Sequence, residues 1–398
     1  MERFPVIVIG AGASGLAAAV SAAVSGARVL LVEASAKPGR SILASGNGRC
    51  NFANADLAPV RYNDPAFVAG VMGADPLRPI LGFFERLGLW YVADDEGRLF
   101  PRSRAAASVL DVLMGALETY GVELRLERRV ARVSRRSDRF VVEFDDGEAV
   151  EAHAVVWAAG GGSARTVAAG LDLPLVEERP ALCPLACAPR PNKALDGVRA
   201  QCGVSLLSRG RRVWGSEGEV LFRTYGLSGI VVFDASRLAR PGDELELDLV
   251  PDIEESRLAD VLSRRVSDRR RLLATPEGCL RFFDGALHPK LATHFAGALL
   301  GPADRSRPDE DLPERMAHAL KSWRFRVEGP ADRSNAQVTQ GGLATGAFDP
   351  RTLSCLEVPG FLACGEALDV DGECGGLNLA WAWSSGMVAG VSAARLVV

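Results

Sequence analysis

Histidine and tyrosine are scarce in this chain, with four of each among 398 residues. The four histidines, His153, His288, His294 and His318, are scattered, and His288 and His294 stand six apart, off a shared helical face. The eight cysteines contain no Cys-x-x-Cys pair. No metal site and no catalytic disulfide are therefore expected, since both need ligating or redox groups brought close together. The cysteines read as reduced, mostly structural thiols, in keeping with a cytoplasmic protein. An excess of positive charge is also missing: 46 Lys and Arg face 50 Asp and Glu, a formal net charge of −4. That balance provides no global attraction to nucleic acid. The one basic run, residues 264–271, has no interleaved aromatics and reads as the solvated face of a helix. Uncharged hydrophobic runs are short. Only residues 379–398 reach spanning length, and Ser384, Ser385, Gly386, Gly390 and Ser392 there mark a buried small-residue helix. Glu2 and Arg3 precede an apolar run that stops at Gly10, so neither a secretory leader nor a membrane partner is expected.

Hydrophobic residues at 48% and charged residues at 24% suit a globular protein of two or three domains. Residues 6–33 organise it. A strand over 6–9 runs into Gly10-Ala11-Gly12-Ala13-Ser14-Gly15, a helix follows over 16–24, and a second strand over 28–32 ends at Glu33. Gly10 permits the turn, Gly12 leaves room for a pyrophosphate, and Gly15 lets helix and strand approach. Strand, helix, strand and terminal acid stand in the order a dinucleotide site requires. Glu33 would hold ribose hydroxyls and repel a 2′-phosphate, which leaves FAD or NAD.

Further along, Ser45-Gly46-Asn47-Gly48-Arg49-Cys50-Asn51 can lay backbone amides along a phosphate or flavin edge, with Arg49 as a donor fork. Helices are expected over 76–87 and 105–120, with a hairpin around Asp94-Asp95-Glu96-Gly97. A β-rich passage over 121–158 empties into Ala159, Gly160, Gly161 and Gly162. From Pro189 the texture changes to short antiparallel strands over 198–207, 211–214, 219–222 and 244–250. Helices follow over 251–323, broken near Pro276, Pro289 and Gly301–Pro302. These strands lack βαβ spacing and cannot continue the nucleotide sheet, so they form an insert, read as a small barrel with a helical appendage. The chain closes with a strand over 361–364, then Gly365-Glu366-Ala367-Leu368-Asp369 and Gly375-Gly376-Leu377-Asn378 before the last helix. First and last segments that both meet ligand call for an elongated one. FAD fits better than NAD.

With these motifs in hand, the chain resembles the bacterial HI0933-like flavoproteins, a branch of the glutathione-reductase-type FAD folds. The resemblance rests on GAGASG with Glu33, SGNGRCN at 45–51, VVWAAGG at 155–161, TYGLSG at 224–229, VTQGG at 338–342, and GEALDVDGECGGLNLAWAWSSG at 365–386. It implies an α/β architecture: a split Rossmann-like FAD-binding domain (1–188 and 331–398) with an inserted antiparallel β-barrel-like domain (189–250) and a mainly helical substrate-side segment (251–330). It also implies pyrophosphate at Gly10, Gly12, Ala13, Ser14 and Gly15, and adenosine ribose at Glu33. Ser45, Gly46, Asn47, Gly48, Arg49, Cys50 and Asn51 would pass near flavin or pyrophosphate, with Ala159 and Gly160 at the second glycine turn. The backbone of Val130 would approach the adenine. Gly365, Glu366 and Asp369 would meet the ribityl chain; Gly376, Leu377 and Asn378 would line the isoalloxazine. Where relatives carry Thr-His and a GGYNLQ block, this chain has Thr224-Tyr225 and GGLNLA, from which a less polar active-site cavity is expected.

The activity implied is FAD-dependent hydride transfer with an organic small molecule, NADH or NADPH serving as a visiting reductant because no second GxGxxG fold is present. Reduction of an enone in a steroid or bile-acid ring is preferred. Oxidation of an aminoacetone-like amine, reduction of uridine in ribosomal RNA, and a non-enzymatic FAD-bound interaction protein are the alternatives. Tyr225 is the candidate proton donor, Cys50 a candidate nucleophile, and Asn378 a candidate at the flavin.

Overall fold

The structure is a computed structural model that describes residues 1–300, 311–332 and 336–398. It divides into Met1–Arg179 with Val338–Val398, and Pro180–Gln337.

In the first unit, β1 (Glu2–Ile9) carries four consecutive apolar residues that are buried on both faces, as a central parallel strand requires. It leads into α1 (Ala13–Val24) and β2 (Val29–Val32), which lies parallel to β1 with Val6 opposite Val29. Next come α2 (Arg40–Ala44), β3 (Ala53–Asn54), α3 (Pro65–Met72) and α4 (Leu77–Arg86). The expected hairpin joins β4 (Tyr91–Ala93) to β5 (Arg98–Pro101), its turn held by Asp94 Oδ1 accepting from the amides of Glu96 and Arg98. Helix α5 (Ala106–Thr119) buries Val109, Leu113 and Leu117 at helical spacing. The strands β6 (Glu123–Arg125), β7 (Val130–Arg136), β8 (Arg139–Phe144) and β9 (Ala149–Trp157) complete most of one sheet, in the order β6-β2-β1-β9-β8-β7. Its β6, β2, β1 and β9 are parallel, whereas β7, β8 and β9 form an antiparallel meander. Then α6 (Ala164–Leu171) and β10 (Leu175–Ala181) lead out of the unit.

The second unit is a closed barrel with helices. Its strands are β11 (Leu185–Ala188), β12 (Arg199–Ser208), β13 (Arg211–Arg223) and β14 (Gly226–Ser228), then, after α7 (Ile230–Ser236), β15 (Glu244–Asp248). Among the described residues, α8 (Glu255–Asp268), α9 (Pro276–Leu280), α10 (Pro289–Leu300) and α11 (Leu312–Lys321) follow, before β16 (Trp323–Pro330) pairs with β11 and β15. The order around the barrel is β11-β14-β13-β12-β15-β16. Two expectations need correction here. The strands placed at 211–214 and 219–222 are one strand, because Gly215 and Gly218 stay in register opposite Ser205 and Cys202. The boundaries also fall outside 188/189 and 330/331, at 179/180 and 337/338, and β11 belongs with the insert because it closes the barrel between β14 and β16. The helix break expected at Gly301–Pro302 lies outside the described residues.

The chain re-enters the first unit through β17 (Val338–Leu343), which pairs with β10, and β18 (Phe361–Ala363), which lies parallel to β9. The last helix, α12 (Leu377–Arg395), packs along α1. A side-chain carbon at Gly386 or Gly390 would fall on the carbonyl oxygens of Ser14 and Ala18, so only glycine allows this approach. Among the described residues no single helix is long and apolar enough to cross a membrane. One bent pair, α3 with α4, passes on length and composition, and each of its halves buries a face in the core.

Candidate functional site

The turn between β1 and α1 divides its three glycines by environment. Gly10 adopts φ +102° and donates its amide to Val32 O at 2.8 Å; a side chain there would meet Ala158 O at 2.5 Å. A carbon added to Gly15 would fall on Gly10 O, which fixes how closely α1 approaches β1. Gly12 is different: its backbone is extended, and the nearest atom to an added carbon is Ser41 Oγ at 3.6 Å. Space is open at Gly12. No side chain caps α1, so its first-turn amides have no intrahelical acceptor and can donate to an anion.

At the end of β2, Glu33 is held by two backbone bonds. Its Oε2 accepts from Ala11 N and its Oε1 from Ser35 N, each at 2.8 Å. Its carbonyl accepts from Arg128 N at 2.8 Å, which brings the entry to β7, and half-buried Val130, alongside.

Two motifs more than 300 residues apart interlock. Gly46, Asn47, Gly48 and Cys50 all have positive φ, so residues 45–49 form a tight curl that is largely exposed. The stretch that follows clamps the loop before α12. Asn54 Nδ2 donates to Gly375 O at 2.9 Å, Tyr62 Oη to Leu377 O at 2.8 Å, and Arg61 pairs with Glu373 at 2.8 Å. Trp383 Nε1 donates back to Phe52 O at 3.0 Å. Asn51 Oδ1 is buried against this loop with no hydrogen-bond partner among the described residues. Gly376, at φ +99°, begins α12 without a side-chain cap.

Three carboxylates after β18 are tied to β17. Glu366 Oε1 accepts from Thr339 N at 2.6 Å, Asp369 Oδ1 from Gly341 N at 3.1 Å, and Asp371 Oδ1 from Gln340 Nε2 at 2.7 Å. Gln340 is in turn bonded by Arg179. Burial raises the pKa of Glu366, the Thr339 bonds oppose it, and the charges of Glu178 and Asp371 add to it. Burial likewise raises that of Asp369, against the Gly341 bond and with the charge of Asp371. Gly365 donates to Ser385 Oγ at 2.9 Å and crowds Ser14, so the exit of β18 lies on the first turn of α1.

The individual candidates fare differently. Cys50 has 0% exposure, and burial pushes its thiol up to about 11, partly offset by a bond with Ser45. Both features oppose the thiolate form that a nucleophilic cysteine needs. Leu377 and Ala380 are also at 0% exposure in the core, so neither side chain lines a cavity; the expected loss of cavity polarity does not arise from them. Leu377 reaches any ligand through its backbone alone. Asn378 uses its amide on its own loop, accepting from Gly372 N at 2.8 Å and donating to Gly372 O at 2.9 Å, which makes it a positioning residue. Ala159 is exposed and Gly160 half-buried at the end of β9. Tyr225 belongs to the second unit, half-buried, with Arg223 5.8 Å from its ring centre. Sequence reasoning missed Asn54, Tyr62, Asn63 and Ser41; only the Asn-x-x-Asn polar texture of 51–63 hinted at them.

None of the eight cysteines is in a disulfide, and no cluster of metal ligands occurs among the described residues. Open space at Gly12, unpaired amides at α1, an immobilised carboxylate at the end of β2 and the 365–378 loop suit a long ligand with an anionic centre and hydroxyl-bearing ends. FAD has that form.

Comparison with known proteins agrees. The model for the HI0933-like protein Rossmann domain matches residues 4–392. The chain is 33% identical to a 3-dehydro-bile acid delta(4,6)-reductase of Clostridium scindens, over 98% of both chains. It is 30% identical to the ribosomal RNA dihydrouridine synthase of Escherichia coli K12, over 97% of this chain and 96% of that one. A flavocytochrome c3 fumarate reductase in its open conformation shares the fold, with a TM-score of 0.50 and 17% identity over 100% of this chain and 79% of that one. The chain is an FAD-dependent oxidoreductase with a Rossmann-like fold carrying inserted sheet and helices, and it belongs to the HI0933-like family.

Proposed function

We propose that this protein reduces a carbon–carbon double bond conjugated to a carbonyl, in a polycyclic enone of the steroid or bile-acid kind, using NADH or NADPH. The observation that carries this reading is the end-to-end 33% identity to a bile-acid reductase. Saturating a uracil ring to dihydrouridine is the same chemistry, so both relatives named above support an activated double bond as the target. Bound FAD would supply a hydride at its N5. Overall, NAD(P)H and one proton are consumed as the alkene becomes an alkane.

The chain's own contributions are binding, electrostatics and a proton. Amides at the start of α1 would hold the pyrophosphate, and Glu33 the adenosine ribose. The uncapped start of α12 would place partial positive charge where reduction adds electron density. Tyr62, Asn54 and Asn378 keep that helix start in place. Tyr225 would protonate the substrate carbon next to the carbonyl; its hydroxyl has no protein partner among the described residues.

A second reading, reduction of uridine in ribosomal RNA, is favoured by the 30% identity to the Escherichia coli enzyme. The insert speaks for the small substrate: residues 180–337 hold 24 Lys and Arg and 22 Asp and Glu, a balance of only +2. The test is anaerobic turnover of a conjugated steroid enone and, separately, of unmodified ribosomal RNA. Saturated steroid with no dihydrouridine supports the first reading, and the converse result overturns it.

A further inference from the structure

Arg49 and Arg104 both lie against one aromatic ring, and neither is paired with an acid among the described residues. The guanidinium carbon of Arg49 lies 5.9 Å, and that of Arg104 4.5 Å, from the centre of the Phe100 ring, which is buried. Both arginines are exposed, and neither has an ion-pair partner among the described residues. Arg49 makes a single long bond, Nε to Gly46 O at 3.4 Å. Arg98, two positions before Phe100, shows the contrast: Asp94 at 2.8 Å and Glu96 at 2.9 Å neutralise it. A ring face orients guanidinium groups but does not cancel their mutual repulsion. Two uncompensated cations set against one ring by separate loops offer donor forks to an anion of matching charge. A phosphate monoester, with two charges and three acceptor oxygens, matches a pair of guanidinium forks better than a carboxylate or a nucleic-acid diester, each singly charged.

We propose that Arg49 and Arg104 receive the 2′-phosphate of NADPH, in place of the FAD contact the resemblance implies for Arg49, and that this site gives NADPH preference over NADH. Glu33 disfavours a 2′-phosphate in the resident dinucleotide turn, and the sequence has no second GxGxxG fold. A visiting dinucleotide is therefore recognised elsewhere. The loop bearing Arg49 continues directly into Phe52 and Asn54, which bond to Trp383 and Gly375 around the start of α12. The anion site is thus built onto the same loop system as the flavin end of the unit. This assignment rests on the reading that a nicotinamide dinucleotide is the reductant.

The test uses the FAD-loaded protein and two variants, Arg104→Ala and Arg104→Lys, with FAD absorbance as the folding control. Each is titrated by calorimetry with 2′-phospho-ADP-ribose and with ADP-ribose, which differ only in the 2′-phosphate, then reduced anaerobically by NADPH and by NADH. The wild type is expected to bind the 2′-phosphorylated nucleotide about tenfold more tightly, the scale of one charge-assisted fork contact. Arg104→Ala should erase most of that preference and lower the NADPH-to-NADH rate ratio in parallel, with Arg104→Lys between. Equal binding of both nucleotides by the wild type, with equal reduction by both dinucleotides, overturns the site and leaves the reductase reading intact. A preference unchanged in Arg104→Ala also overturns it. Bleaching by neither dinucleotide removes the nicotinamide reductant itself, and this assignment with it.

Discussion

The hydroxyl of Tyr62 donates to the carbonyl oxygen of Leu377 at 2.8 Å, a buried bond between positions 315 apart. It secures the first turn of α12, the helix start proposed to face the flavin. Tyr62→Phe keeps the ring but removes the second hydrogen bond on a carbonyl that also serves the α12 ladder, which costs about 0.5–1.5 kcal/mol. The expected outcome is a lower urea midpoint and faster loss of FAD on dialysis. Unchanged FAD retention would show that this clamp does not support the cofactor.

Gly12 and Gly15 should separate cofactor binding from folding. Gly12→Val meets only the Ser41 hydroxyl, at an ordinary contact distance of 3.6 Å, so the protein should fold with a near-normal melting temperature and lose FAD. Gly15→Val drives a side chain into Gly10 O and should prevent folding. Melting curves and flavin absorbance read both. FAD bound normally by folded Gly12→Val would contradict the assigned pyrophosphate position.

The raised carboxyls set a pH signature. Glu366 lies above its usual 4.5 and Asp369 above 3.8, both through burial. A carboxyl whose pKa is raised by folding binds its proton more tightly in the native state, so it stabilises at low pH. That contribution is complete below 4.5 and 3.8 and is lost as pH rises through each folded value. The cofactor-free protein should therefore show a part of its urea midpoint that grows on mild acidification. Glu366→Gln should flatten that slope; a slope unchanged in the variant would place the proton elsewhere.

Tyr225→Phe should leave FAD content intact and slow enone reduction by roughly 10²-fold, the lower range for loss of a general acid. Flavin reduction by the nicotinamide should not change, because no proton from Tyr225 is used there. An unaltered turnover rate would remove Tyr225 from catalysis.

The sequence was most readable where local rules act alone. The 6–33 segment carries its strand, turn and helix in order, and the structure forms β1, α1 and β2 there within a few residues. The Asp94–Gly97 hairpin and α5 follow equally local signals. Glycines misled at β13, where pairing with β12 carries Gly215 and Gly218 through a continuous strand. Strands β11 and β16 left no clear trace because they are defined by each other across more than 130 residues, with a register shift at Ala186/Cys187. The polar clamp of Asn54, Tyr62 and Asn63 on residues 369–377 was hidden for the same reason. Burial of Cys50 could not be read from SGNGRCN either, since exposed Arg49 is its immediate neighbour.

The most direct measurement is an anaerobic spectrum of the purified, FAD-loaded protein, titrated with NADPH and NADH and then divided between a conjugated steroid enone and air. The expected result is bleaching of the flavin by nicotinamide, rapid recovery of its colour with the enone, one saturated product per flavin, and slow recovery in air. Fast reoxidation by oxygen with release of peroxide, and no turnover of the enone, would contradict assignment as a double-bond reductase.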